Sequence, residues 1–290
     1  SIYMIVQTAG IVLAQGLMVT ADPSGYVLFV IPSILVSIAI TPILLSISPT
    51  PAFETTKAMS LRELMGFSPL GCVGMFLLGG VFSAQFGMAS VYGSEAGLSV
   101  GEISTFVATI FIGGMITQYP IGWLSDRMDR RALIVLTAAV GAVGASIGVM
   151  SNGDFTLILV AAFLMGSTSN PLYSLLLAYT NDFLDHEDMA AGSGGMIFLN
   201  GLGAVSGPLI TGWMMGVFGP SGFYMLIGVL FAMLAIYAVY RATQRPAIPV
   251  DETGSFVAMS QSAMTPVAME IAQEYAIETD LEDESEIPAE

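Results

Sequence analysis

Gly122-Trp123-Leu124-Ser125-Asp126-Arg127-Met128-Asp129-Arg130-Arg131 carries five charged residues in ten and joins two apolar runs, roughly 103–124 and 132–151. Each run has the roughly 20 apolar residues that a helix needs to cross about 30 Å of hydrocarbon. A short, strongly charged loop between two such runs reads as a turn at a membrane surface. In that turn Gly122 permits close helix approach, and Asp126 is expected at a neighbouring helix N-terminus, where a carboxylate is stabilised. Arg127, Arg130 and Arg131 are suited to pair with acids or lipid phosphates.

The pattern repeats outward in both directions. Eight apolar spans are predicted, at roughly 2–20, 26–46, 69–89, 103–124, 132–151, 155–179, 193–216 and 222–241. Turn-forming clusters separate them, among them Ala21-Asp22-Pro23-Ser24-Gly25, Ser151-Asn152-Gly153-Asp154 and Gly219-Pro220-Ser221-Gly222. Ser99 with Glu102 forms the sequence signature of a capping box before the fourth span. The fold class is therefore an all-α, polytopic membrane protein with eight transmembrane helices.

Composition agrees. The chain is 54% hydrophobic and only 10% charged, with mean hydropathy +0.78, whereas a soluble domain carries about 25% charged residues. The net charge of −16 is uneven, because 251–290 hold 11 of the 23 acids and no base. Such a surface offers nothing to nucleic acid. The lone Cys72 excludes a disulfide framework and reads as helix-packing filler. All seven bases lie in alternate connections: Lys57 and Arg62, then Arg127, Arg130 and Arg131, then Arg241 and Arg245. The positive-inside rule puts these connections, and both chain ends, in the cytoplasm. The chain begins at Ser1 inside an apolar run with no charged n-region, which is unlike a signal peptide. It is expected to be the C-terminal part of a longer protein.

The charged loop resembles the G-x-L-x-D-R-x-G-R-R signature of the major facilitator superfamily, matched by Gly122, Leu124, Asp126, Arg127, Arg130 and Arg131. It departs at Asp129, where the family usually has glycine. From Ser68 to Tyr240 the chain is similar to bacterial permeases of the YcaD-like kind. The resemblance implies a twelve-helix fold in which this loop joins helices eight and nine. Residues 1–46 are then the last two helices of the N-terminal half, 47–68 the central cytoplasmic linker, and 69–241 the six-helix C-terminal half. Residues 242–290 form an acidic, mostly disordered cytoplasmic tail, with a short helix expected from Thr265 to Ile277. In the seventh span Gly203, Gly207, Pro208 and Gly212 resemble a Gly-Pro element of the family. Their G-x-x-x-G spacing suits close helix packing.

The implied function is a secondary active transporter that moves a small solute across the inner membrane by alternating access. The resemblance gives no cofactor or metal, a monomer in the bilayer, and a proton as coupling ion if the transport is coupled. Polar residues within spans are the substrate-pathway candidates, since each costs insertion energy: Gln85, Asn170, Tyr173, Asn200 and Gln15. Gly166, Asn170 and Tyr173 are expected on one helix face. No Asp, Glu, Lys or Arg lies deep in any span, so a coupling carboxylate is expected outside these spans. A membrane enzyme has only Asp182, Asp185, His186, Glu187 and Asp188 as a reactive cluster, without partners elsewhere. A scaffold or receptor signalling through its acidic tail is the other alternative.

Overall fold

Small polar residues start most of the helices that cross the bilayer. Ser68 caps a helix with Pro69 at its first position, and Ser99 and Glu102 form the reciprocal capping box. Asp129 and Asp154 each accept from the first-turn amides of the helix they precede. In the computed structural model, residues 2–22, 24–45, 59–244 and residues 253, 254 and 256 are described. Their helices are α1 (Ile2–Leu17), α2 (Val27–Leu45), α3 (Leu61–Phe67), α4 (Pro69–Gly87), α5 (Ala89–Glu95), α6 (Val100–Ser125), α7 (Arg130–Met150), α8 (Phe155–Asn181), α9 (His186–Phe218) and α10 (Gly222–Ala242). Six of them, α4 and α6 to α10, are long and apolar enough to span a membrane.

Eight spans were expected. Among the described residues, α1 and α2 carry the shorter apolar stretches Val6–Leu17 and Val27–Pro42. Two differences have local causes. The third span was expected to run from 69 to 89 into a connection, but the chain bends at Met88 and starts α5. Tyr92 of α5 is buried among Phe106, Phe223 and Tyr224, with ring centroids 4.8 to 5.4 Å away. That aromatic contact holds a helical turn in the interval between the third and fourth expected spans. The seventh span, expected from 193, is the end of a longer helix, α9, that begins at His186. A second capping box, Ser60 with Glu63, starts α3 inside the stretch read as a linker. The helix expected over Thr265–Ile277 lies outside the described residues.

The six long helices pack as two interlocked groups of three. α4 lies along α9 as α8 lies along α6; α10 meets α4 as α7 meets α8; α7 meets α10, and α4 meets α8. Exchanging α4 with α8, α6 with α9 and α7 with α10 maps this set of contacts onto itself. That is the pattern of an inverted three-plus-three repeat. α1 lies against α6.

The two strongest pairings share one device. On α4 and α9, a Cβ added at Gly79 would overlap the backbone of Asn200, and one at Gly203 the backbone of Phe76. On α8 and α6, Gly166 stands in the same way against Ile110, and Gly113 against Phe163. Each pairing also has one cross-helix hydrogen bond to a carbonyl. Asn200 Nδ2 donates to Met75 at 3.1 Å, and Thr117 Oγ1 to Ser167 at 2.7 Å.

Gly203→Leu or Gly166→Leu should therefore lower the stability of the detergent-solubilised protein by roughly 2 kcal/mol or more, because overpacking against backbone has no rotamer to relax into. Gly201→Leu, where no atom lies within 4 Å of the added Cβ, should be tolerated. Thermal unfolding followed by size-exclusion chromatography distinguishes the two cases.

Candidate functional site

Two sets of polar residues stand out, one inside the helix bundle and one at the α6–α7 turn. Within the bundle, Gln85 sits on the α4 stripe that faces α8. On that stripe Gly71 adjoins Thr180, Gly74 adjoins Leu176, and the Phe82 ring lies 6.1 Å from that of Tyr173. Gln85 is 0% exposed, and neither its amide oxygen nor its nitrogen has a hydrogen-bond partner among the described residues. Ser169, on the facing stripe of α8, is also 0% exposed with an unpartnered hydroxyl. An unpartnered buried amide or hydroxyl costs about 1–3 kcal/mol. Two of them on facing stripes of one helix pair form a polar locus in an apolar core.

The other pathway candidates separate. Tyr173 is fully buried against α4, whereas the Asn170 amide lies over Gly114 of α6. The face expected to carry Gly166, Asn170 and Tyr173 together is thus divided between two neighbouring helices. Asn200 donates to the Met75 carbonyl and acts as glue between α9 and α4. Gln15 is half-buried on α1. Gln118, near the charged loop, donates to Ser174 Oγ at 3.0 Å and ties α6 to α8. Gly203 and Gly207 both face α4. Gly207 abuts Ser83, and Gly212 lies in ordinary contact distance of Met88. α9 remains helical through Pro208, and α8 through Pro171.

At the α6–α7 turn the three arginines take three different roles. Arg127 lies on the surface with its guanidinium 4.2 Å above the Trp123 ring. Arg131 pairs at 2.9 Å with Asp129. Asp129 replaces the signature's usual glycine and, as the N-cap of α7, accepts from the Arg131 amide. Burial would raise the Asp129 carboxyl, but the Arg131 side chain and backbone outweigh it and hold the carboxyl below its ordinary value. Arg130 is 3% exposed. Its Nε donates to Ser125 Oγ, its Nη1 pairs with Asp182 at 2.5 Å, and its Nη2 lies 3.6 Å from Asp126.

The N-cap of α7 is Asp129 and not Asp126. Asp126 closes α6 and faces Arg130. Asp182, read from sequence as one of a loop cluster with His186, leaves that cluster to become the buried partner of Arg130. Its signal was an acid immediately after an apolar run that ends on the same side as the arginine loop. Burial pushes the carboxyls of both Asp182 and Asp126 above their ordinary values, against the opposing pull of Arg130 and of backbone amides from Gly254 and Phe256.

Residues 71–259 match the family model described as Major Facilitator Superfamily. Among curated proteins, the chain is similar to the uncharacterized MFS-type transporter YcaD of Escherichia coli O7:K1 (strain IAI39 / ExPEC). The two are 23% identical over 195 residues, which cover 67% of this chain and 49% of that protein. The YcaD of Escherichia coli O9:H4 (strain HS) is 23% identical over 191 residues, covering 66% and 48%. The chain thus spans about half the length of the curated relatives it matches.

Because Asp182 is buried, Arg130→Ala should cost roughly 3–5 kcal/mol, the penalty for leaving one charge of a buried pair uncompensated. Arg127→Ala, which removes an exposed cation, should cost less than about 1 kcal/mol. Replacing both Arg130 and Asp182 by apolar residues should recover much of the single-variant loss. Denaturation of the purified protein in detergent reads all three.

Proposed function

The chain belongs to the major facilitator superfamily, and from that premise we propose that it forms part of a secondary active transporter carrying a small solute across the inner membrane by alternating access. Residues 1–46 are taken as the end of an N-terminal half, 47–68 as a central linker, 69–241 as the C-terminal half and 242–290 as a tail. Both chain ends are assigned to the cytoplasm by the bases in alternate connections. The inverted repeat among α4 and α6 to α10, and the contact of α1 with α6, support this division.

The carrying observation is Gln85. A membrane protein does not bury a primary amide at 0% exposure without a partner unless something else engages it. In an inverted-repeat transporter the substrate path runs between the repeats, and this locus is assigned to it. Gln85 and Ser169 are assigned to hydrogen-bond the solute, and Tyr173, whose ring is tilted against that of Phe82, to wall it. Asn170 stands beside this locus, and Gln15 on α1 is its counterpart from the other half. Asn200 serves packing. Asp126, Arg127, Arg130 and Arg131, with Gly122, form the cytoplasmic gate. A carrier of a neutral polar solute fits this site best, because no charged side chain among the described residues reaches it.

A thermal-shift screen of the purified protein against small polar metabolites, followed by counterflow of the hit in proteoliposomes, tests this reading. Gln85→Leu should abolish the shift and the flux while raising stability by about 1 kcal/mol or more, since the unpartnered amide is removed. Undiminished flux in Gln85→Leu would remove this site from the pathway. Asp126→Ala should slow flux but leave the ligand-induced shift in place, as a gate residue that does not touch solute.

A further inference from the structure

Among the described residues, Asp126 and Asp182 both face the one buried guanidinium of Arg130, while Arg131 is held by Asp129 and Arg127, over Trp123, acts on Asp126 only from the surface. Further partners come from a distant part of the chain. The Gly254 amide donates to Asp182 Oδ1 at 3.3 Å, and the Phe256 amide donates to Asp126 Oδ1 at 3.0 Å. Between them the Gly254 carbonyl accepts from Arg130 Nη2. A donor, an acceptor and a second donor thus meet a carboxylate, a guanidinium and a second carboxylate. The Phe256 ring packs on Gly122, where an added Cβ would stand 2.6 Å from it. The segment lies about a dozen residues beyond the end of α10, a length of chain that reaches on the order of 40 Å when extended.

We infer that Gly254 and Phe256 act as a strap, a part of this chain that seats on the α6–α7 turn and seals the Arg130–Asp182 pair in this conformation. The side chains that make the seat are those of the signature loop and Asp182, and what they meet is the Gly254 amide and carbonyl, the Phe256 amide and the Phe256 ring. Gly122, whose missing side chain would serve the close approach of a helix, is covered here by the ring. Seating of the strap and docking of a helix at Gly122 are therefore mutually exclusive, which links the position of the C-terminal segment to movement at this end of the bundle. The inference rests on contacts alone and holds whatever solute is carried.

The test needs no solute. Ser125 is 1% exposed and holds Arg130 from below, and the native Cys72 is buried. In membrane fragments carrying Ser125→Cys, labelling by a charged maleimide should be slow. It should accelerate about tenfold or more when Phe256→Ala or Gly254→Pro removes the strap's anchor or its donor, as expected for the loss of a local protecting contact. Met150→Cys, at the far end of α7 and 72% exposed, should label at one rate in all backgrounds. Hydrogen exchange of residues 122–131 in chains that keep Ser125 gives a second reading, with faster exchange expected in Phe256→Ala. Unchanged labelling and exchange in both strap variants would overturn the inference. So would a parallel acceleration at Met150→Cys, which marks general loosening.

Discussion

Helices in lipid gain nothing from hiding apolar surface from one another, because the surrounding chains are as apolar as leucine. They associate where their backbones come close enough for dispersion and short polar contacts to act. Everything in this structure depends on four such approaches: Gly79 and Gly203 between α4 and α9, Gly113 and Gly166 between α6 and α8. Each glycine sits against a carbonyl of the partner, and each pair is reinforced by a side chain donating to a carbonyl across the seam, from Asn200 or Thr117. The repetition of the device in both pairs gives the six-helix unit its internal symmetry. It also sets the spacing of α4 and α8, whose facing stripes hold Gln85, Ser169 and Tyr173.

Polar residues within the bilayer divide by whether they have a partner. Asn200, Thr117 and Gln118 are committed to neighbouring helices. Gln85 and Ser169 are equally buried and uncommitted. In sequence Gln85 and Asn200 looked equivalent: each is a lone amide in an apolar run, and insertion cost is the same for both. Only the positions of Met75 and the α8 stripe separate glue from candidate ligand.

At the other end of the bundle, burial rather than charge count ranks the arginines. Arg127 keeps its hydration and rests on an indole, whereas Arg130 is enclosed and requires Asp182, Ser125 and the Gly254 carbonyl. A desolvated cation shared between two carboxylates is a demanding arrangement, and it explains why distant backbone is recruited to finish it. The departure from the family signature at Asp129 is explained by helix capping. The carboxylate satisfies an otherwise orphaned amide of α7 and holds Arg131 at the same time.

What the sequence by itself determined were the features governed by local terms. Run length and hydropathy placed the six long helices, Ser99 with Glu102 marked the start of α6, and the turn clusters marked the breaks. The signature loop placed Arg130 at a helix end. Tertiary structure decided the rest, because those features depend on residues far apart along the chain. Tyr92 turned the connection after the third span into α5 by finding Phe223 and Tyr224, and Asp182 found Arg130 across 52 positions. Phe256 found Gly122 from beyond the last helix. A helix or a cap is settled within a few residues by hydrogen bonds that the segment makes to itself. The partner of a buried charge, ring or amide is settled by which helices the glycines allow to meet.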